Sequence, residues 1–361
     1  MKLKDKRLSQ KGDEEMKKVL VTGATGHVGN VLVKQLNDKG YNVYSLVLPH
    51  DQIDYLTPYS SILYGDILDS NGLEYLFEGF DYVIHCAGMI EIGSGNKKLV
   101  YDVNVNGTKN VLEAAFKAKV KRVVYTSSVH ALPSLKNNEL MKEIDHFDPK
   151  LVKGHYAKSK AIATQYALDF TRDYDLDVVI THLGSVIGDG DYKKSYMGTV
   201  ANLYLQNKLP VYIKGGYNFV DVKDTANGII LALEKGKRGE CYLLTGIQKT
   251  IKEYLDDIAE FARIKPVTKK INYTFILIMS KFSELFYKIA NRKPLLTTYS
   301  IKVLKSNSNF SNMKAVNELG FTLRPFEETV ADVVNFNLKV ITKEAKAKLL
   351  PTKSKGHANG K

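Results

Sequence analysis

The sequence predicts an α/β fold, a doubly wound parallel sheet completed by a smaller C-terminal lobe. Three observations carry this. Over the first half of the chain, short apolar runs alternate with stretches of helical period, the pattern of parallel strands joined by crossover helices. A glycine cluster follows the first apolar run directly. After about residue 184 the alternation loosens, and Gly188, Gly190, Gly198, Gly215 and Gly216 interrupt it.

Taken in order, residues 1–15 are charged and lack an apolar centre, so they read as a flexible tail and not as a leader peptide. Lys17-Lys18-Val19-Leu20-Val21-Thr22 predicts a buried strand, and a helix pattern follows over 27–39 until Gly40 ends it. Further strands are expected at 43–48, 61–64, 82–85, 122–126 and 177–182, with helices at 71–77, 100–119 and 155–174 between them. Later helices are expected at 199–207, 224–233, 251–262 and 273–290. Residues 16–187 would form the sheet domain, with part of 220–245 returning to it. Residues 188–338 would form the lobe, and the lysine-rich 339–361 a second flexible tail. The most apolar stretch, Tyr273-Thr274-Phe275-Ile276-Leu277-Ile278-Met279, reads chiefly as a buried or substrate-capping helix, and less as a membrane-surface contact. It is too short to span a bilayer, and no uncharged apolar run of about 18 residues exists elsewhere.

The formal charge of +13 suggests a polyanion partner until it is located. Residues 1–18 carry a net +3 and residues 339–361 a net +6, so most of the excess sits at the ends. No nucleic-acid partner is expected. The two cysteines, Cys86 and Cys241, form neither a disulfide framework nor a metal spacing, and reduced thiols in a cytoplasmic protein are the expectation.

Thr22-Gly23-Ala24-Thr25-Gly26-His27-Val28-Gly29 has G-x-x-G-x-x-G spacing between the first strand and the first helix. A dinucleotide pyrophosphate approaches backbone closely at such a turn, and the helix N-terminus offers it unpaired N–H groups. The Rossmann-type reading of the sheet rests on this placement. The choice between NAD and NADP stays open. A carboxylate at the end of the second strand would hold the ribose diol and an arginine would take a 2′-phosphate, but Val47 and Leu48 supply neither. Asp51 stands late for the first role, and His50 is a weak phosphate partner. After the third strand, Asp66 and Ile67 are candidates for the adenine.

Tyr156-Ala157-Lys158-Ser159-Lys160 is the most informative stretch. Tyr156 and Lys160 are four apart and share a helix face. A lysine ammonium and an oxidised nicotinamide both favour a phenolate, so a lowered tyrosine pKa is expected, suited to proton transfer to a carbonyl oxygen. The strand end Tyr125-Thr126-Ser127-Ser128-Val129-His130 offers a hydroxyl to orient the substrate oxygen. His130 reads as pocket wall more than as a second base.

These segments, with His85-Cys86-Ala87-Gly88 and Asn104-Val105-Asn106-Gly107-Thr108, occur in the order found in extended short-chain dehydrogenases/reductases, and the chain resembles that family from about Lys17 to Phe336. The family is also called the NAD-dependent epimerase/dehydratase family. The resemblance implies a smaller substrate-binding lobe and a catalytic set of Ser128, Tyr156 and Lys160. It further implies that Ala87, Gly88, Asn104, Thr126, Leu183 and Ser185 lie about the nicotinamide side of the cleft, Asn104 as a structural or water-holding residue. Within the family the chain looks closer to the dihydroflavonol-reductase-like and hydroxysteroid-dehydrogenase-like branch. His182-Leu183-Gly184-Ser185-Val186-Ile187-Gly188-Asp189 replaces the Arg-x-x-Asn-Val-Tyr-Gly-Pro type segment of sugar-nucleotide enzymes, and between Gly188 and Asn291 the only arginines are Arg238 and Arg263. Leu48 stands where plant-type reductases carry their phosphate-binding arginine.

The expected function is hydride transfer between nicotinamide and a carbonyl or secondary alcohol of a small to medium, mostly apolar molecule. Its pocket would draw on residues 89–95, 130–135, 185–197, 217–219 and the apolar helix near Phe275. Two other readings share the residues: a sugar-nucleotide epimerase or dehydratase, and a cofactor-binding sensor or scaffold without chemistry. By the resemblance, a homodimer would pack through the helices at 100–119 and 155–174.

Overall fold

The computed structural model describes residues 16–90, 96–136, 138–289 and 297–349. Its main sheet has seven parallel strands in the order β3-β2-β1-β4-β5-β6-β9. These are β1 (Lys18–Thr22), β2 (Asn42–Val47), β3 (Ser61–Tyr64), β4 (Tyr82–His85), β5 (Arg122–Ser128), β6 (Val178–Leu183) and β9 (Cys241–Leu244). The chain builds outward from β1 through β2 to β3, then returns so that β4 pairs with the other side of β1. Alternate residues of the central strands feed two cores, as parallel strands buried on both faces require. Leu20, Val83, Val123 and Val178 pack beneath α2 (Ser70–Leu76), α4 (Gly107–Lys117) and α5 (His155–Asp173). Val19, Val21, Ile84, Val124 and Val179 pack beneath α1 (His27–Asp38) and α7 (Val222–Lys235).

The lobe has its own core. A three-stranded sheet places β8 (Gly216–Asp221) between β7 (Ser185–Ile187), parallel to it, and β10 (Ile247–Thr250), antiparallel. Around it α6 (Tyr196–Leu205), α8 (Ile251–Ala262), α9 (Tyr273–Ile289), α10 (Thr298–Val303) and α11 (Phe326–Leu349) bury residues such as Met197, Tyr204, Phe219, Tyr254, Ile301 and Val330. The chain interleaves the two halves: β9 is the outermost strand of the main sheet, and α7 covers its α1 face.

Three expectations need correction. The helix expected over 100–119 is broken into α3 (Lys97–Tyr101), a π-turn at Asp102–Asn106 and α4. The widened turn carries the buried Asn104, and Thr108 donates to the Asn104 carbonyl at 2.8 Å. The basic tail does not begin at 339, because α11 continues to Leu349. Its Lys-Glu-Ala-Lys-Ala-Lys run favours helix, and Lys194 pairs with Glu344 at 2.6 Å, so a helix with only one covered face suffices there. The apolar helix near Phe275 is not buried throughout: on α9 Ile276 and Ser280 are buried, while Phe275 is exposed. Residues 1–15, 350–361 and most of the expected pocket segment 89–95 lie outside the described residues.

Candidate active site

The crossovers from β1 and β4 diverge, opening a crevice above their carboxyl ends, the place where such sheets bind ligands. The glycine turn forms one wall. Gly23 has φ +69°, and a Cβ there would overlap the Ala87 backbone, so turn and β4 loop meet without side chains between them. The Gly26 N–H donates to the Gly23 carbonyl at 2.9 Å, and no side chain caps α1. His27, Val28 and Gly29 therefore present the first turn of α1 to the crevice with its N–H groups open for an anion. This fits a dinucleotide pyrophosphate.

Asp51 lies three residues beyond Leu48 but is folded back onto the turn. It accepts from the Thr25 hydroxyl at 2.9 Å and from Lys193 at 2.8 Å. Burial would raise its pKa, yet the Lys193 and Thr25 hydrogen bonds outweigh burial and hold the carboxyl below the usual range. Sequence position alone made Asp51 too late for this wall, because the return of the loop after β2 leaves no local signal. Lys193 comes from the lobe, in the segment 185–197 expected to line the substrate pocket, and meets the glycine-turn wall instead. The segment that carries it crosses the start of α1: His27 meets the Asp189 carbonyl at 2.8 Å, and Asn30 donates to the Gly190 carbonyl at 2.9 Å. Tyr192 stacks on Tyr55 with ring centroids 4.2 Å apart.

At the end of β3, Asp66 is exposed and accepts from the Leu68 N–H at 3.0 Å, while Ile67 is buried and its carbonyl accepts from Asn110 at 2.9 Å. On the β4 side, Asn104 ties the crevice floor to α5. Its Oδ1 accepts from the Met89 N–H at 2.8 Å, and its Nδ2 donates to the Met89 carbonyl at 3.0 Å and to Ser159 at 2.9 Å. Gly88 sits against both Asn104 Oδ1 and Lys160 Nζ. Behind it the buried His85 ring bridges Thr22 at 2.7 Å and Thr108 at 3.0 Å. Burial, with Lys160 nearby, pushes that imidazole down to about 3 and keeps it neutral.

Tyr156 and Lys160 share the face of α5 that meets the ends of β5 and β6, where Ser128 is in register with Leu183, and Ser185 follows at once as the start of β7. Tyr156 is 7% exposed and Lys160 5%. The Ser128 hydroxyl accepts from the His130 N–H at 3.2 Å and is near enough to the Tyr156 phenol to favour its ionised form, whereas Ser127 points the other way and bonds Thr164 at 2.7 Å. Lys160 donates to the Thr126 carbonyl at 2.9 Å and lies 5.1 Å from the centre of the Tyr125 ring, while the Thr126 hydroxyl donates to the His85 carbonyl at 3.0 Å. The expected lowering of the tyrosine pKa is not found: burial raises it, outweighing the Ser128 hydrogen bond. Burial also brings Lys160 down to about 8. Turned towards Thr126, the lysine does not offset the desolvation of the phenol.

His130 meets the Tyr156 ring edge-on, with centroids 5.9 Å apart, and burial pushes it down to about 4. A neutral wall fits it better than a base. Above Tyr156 the lobe contributes Tyr299, a residue no sequence pattern marks because its helix is far away in the chain. Its ring lies on Gly154, where any Cβ would collide with it, and burial together with Tyr156 pushes its phenol up to about 12. Tyr196 and Tyr217 complete this aromatic end, and burial raises both. Of the lobe's arginines, Arg238 binds Asp175 and the carbonyls of Thr171 and Tyr174, and Arg263 closes α8. Neither faces the crevice.

Comparison with known proteins agrees with this geometry. The chain is 29% identical to "Sterol demethylase protein B" of Methylococcus capsulatus, over 87% of this chain and 96% of that one. It is 27% identical to the "Sterol-4-alpha-carboxylate 3-dehydrogenase, decarboxylating" of Dictyostelium discoideum, over 85% and 96%. The solved structure of gox2253 superposes with a TM-score of 0.79 at 28% identity, covering 90% of this chain and 98% of that one. The family description "NAD dependent epimerase/dehydratase family" matches residues 19–244. With that match spanning more than half its length, the chain belongs to the NAD-dependent epimerase/dehydratase family.

Proposed function

We propose that this protein catalyses reversible hydride transfer between a nicotinamide dinucleotide and a carbonyl or secondary alcohol on a mostly apolar substrate of small to medium size. The observation that carries the reading is the convergence of Ser128, Tyr156 and Lys160 beside Gly88, at the carboxyl ends of β5 and β6. Bound nicotinamide supplies or accepts the hydride. The chain's own groups supply the rest. Ser128 orients the substrate oxygen towards the phenol. Tyr156, kept protonated by burial, is poised to give its proton to a carbonyl oxygen, which is the reducing direction. Lys160 stands where a ribose hydroxyl would replace the Thr126 carbonyl as its partner. Asp51 and Thr25 offer the adenosine ribose acceptor groups at the other end of the crevice.

The substrate class follows from the aromatic end. Tyr196, Tyr217, Tyr299 and His130 are neutral at neutral pH and offer ring faces with single polar tips. A nucleotide-sugar diphosphate would want cations there. Of the lobe's described arginines, Arg238 is bound to Asp175, Arg324 is paired with Asp221 and Asp332, and Arg263 is exposed at the end of α8.

The test follows nicotinamide absorbance while purified protein is offered aldehydes, ketones and secondary alcohols with NAD(H) and with NADP(H). Turnover that Tyr156→Phe reduces by about 100-fold or more, with cofactor binding kept, supports the reading. Full activity in that variant sinks it. Cofactor binding without turnover on any carbonyl would turn the search to nucleotide sugars.

A further inference from the structure

Helix α9 is inside out for a helix on the surface of a globular lobe. Its inward side buries Ile276 and Ser280. Its outward side shows Phe275 at 56%, Ile278 at 51%, Met279 at 45% and Phe282 at 65% exposure, at the i, i+3, i+4, i+7 spacing of one continuous stripe. Four large apolar side chains side by side in water make an interaction surface and not scattered exposure.

The charge around this stripe is equally one-sided. From Phe261 to Lys305 the sequence carries ten Lys or Arg and a single acid, Glu284. Lys265, Lys269 and Lys270 lead into the helix, Lys281 sits within it beside the stripe, and Lys302 follows on α10; all are exposed. None of them forms an ion pair with a described residue. Lys305 lies with its ammonium 3.5 Å from the centre of the Tyr273 ring, at the start of α9. Elsewhere in the molecule some lysines are paired, as in Lys249 with Asp257 and Lys252 with Asp256.

We propose that the exposed face of α9 docks on an anionic membrane surface, with Phe275, Ile278, Met279 and Phe282 entering the headgroup boundary and the surrounding lysines meeting the lipid phosphates. An apolar stripe rimmed by cations, on a helix too short to cross, is the composition of an interfacial helix. An acidic protein partner would account for the lysines, and a second copy for the stripe, but a second copy would bring the same positive rim against itself. The stripe is also mechanically connected to the chemistry. Ser280 bonds Thr298 at 3.1 Å, and the next residue, Tyr299, rests on Gly154, two residues before Tyr156. This deepens the proposed function by assigning it substrates that dissolve in lipid.

The test is co-sedimentation of the whole chain with vesicles of phosphatidylcholine, alone or containing phosphatidylglycerol. Phosphatidylglycerol should raise the bound fraction at low salt, and raised salt should reverse the gain. Ile278→Glu with Phe282→Glu should weaken binding by roughly tenfold or more. Lys269→Gln, Lys270→Gln and Lys281→Gln together should remove most of the salt-sensitive part, and all variants should keep NADH binding. No sedimentation, equal sedimentation on phosphatidylcholine alone, or undiminished binding by both variants would overturn the proposal. So would a wild-type dimer that ignores vesicles and falls to monomer in the double Glu variant, which would give the stripe to a second copy. Because no substrate enters the measurement, its failure leaves the hydride-transfer reading standing.

Discussion

The two halves of the molecule finish their helices differently. In the lobe, α6 is capped by Ser195, and α8 and α10 begin with full capping boxes at Thr250 and Thr297. In the sheet domain, α1 and α5 begin at Gly26 and Gly154 with no side-chain cap, although α2 and α3 nearby have theirs from Asp69 and Asn96. A side-chain cap is worth only a few tenths of a kcal/mol over glycine, so leaving it out is a small cost. Apart from α4, which runs on from the π-turn, it is omitted at the two helices that border the crevice: α1 keeps its N–H groups for an anion, and α5 starts at a glycine because Tyr299 needs the space.

The hardest test of that contrast is to cap α1 artificially. Gly26 has φ −74° and ψ 170°, an ordinary N-cap conformation, so Gly26→Asp can place a carboxylate over the first turn. Fold stability should change little, because an acid at a helix N-terminus is favourable while a Cβ at Gly26 would lie a tight 3.2 Å from the Gly23 carbonyl. NADH affinity should fall roughly a hundredfold, since the carboxylate faces the phosphates at close range. Titration of NADH fluorescence and a urea unfolding curve check both. A variant that binds NADH normally would remove the phosphate role from α1.

Lys160→Met separates chemistry from stability in the same half. The buried ammonium has a pKa of about 8 against an ordinary value of 10.5. Between those values the unfolded chain binds more protons than the folded one, so wild-type stability from this group rises as pH goes from 8 to 10.5. At pH 7 the buried charge costs on the order of 3 kcal/mol. The Met variant should lose turnover yet unfold at higher urea at pH 7, and it should lack the wild-type gain in stability above pH 8. A less stable variant at pH 7 would mean that the bond to Thr126 outweighs desolvation.

What could be read from the sequence divides along the same line. The glycine turn, Tyr156, Lys160 and the strand-end hydroxyls are local patterns, held by one turn, one helix face and one strand, and the structure brings them to one crevice. Ile251–Ala262 was legible to the residue because its cap and its 3.6-residue period coincide. Tyr299 was not, Asp51 only as a late acid, and Lys193 only as part of the pocket segment 185–197. Each reaches the crevice through chain return or lobe docking, which leaves no period or spacing behind. The tyrosine pKa was misjudged for a related reason: spacing shows that a lysine is near, but not that burial outweighs it. Composition marks 273–279 as a buried or capping helix without telling its faces apart, and the packing of α10 shows which side of α9 is covered.

Gly154→Ala probes the junction of the halves. Gly154 has φ +95°, and an added methyl would overlap the Tyr299 ring. The two effects together should cost about 2 kcal/mol in urea unfolding. Tyr299→Ala in the same chain should return the part due to collision and leave the part due to backbone strain, so the two substitutions will not add. Additive losses would mean that Tyr299 moves aside freely and does not hold the start of α5.

The smallest effect is expected where the lobe's cap is removed. Thr250 accepts from the Glu253 N–H at 3.1 Å, and Glu253 returns the bond to the Thr250 N–H at 2.7 Å. Thr250→Ala should lower stability by about 1 kcal/mol and leave NADH affinity unchanged, the reverse of the outcome at Gly26. The Glu253 carboxyl lies below its usual range because of its bonds to Thr250, so the wild type should lose this increment as pH falls through that lowered value. Urea midpoints at neutral and acid pH should therefore converge between wild type and variant. If Thr250→Ala instead weakened NADH binding, the lobe's caps would be acting on the crevice, and the division between helices capped for stability and helices opened for ligand would fail.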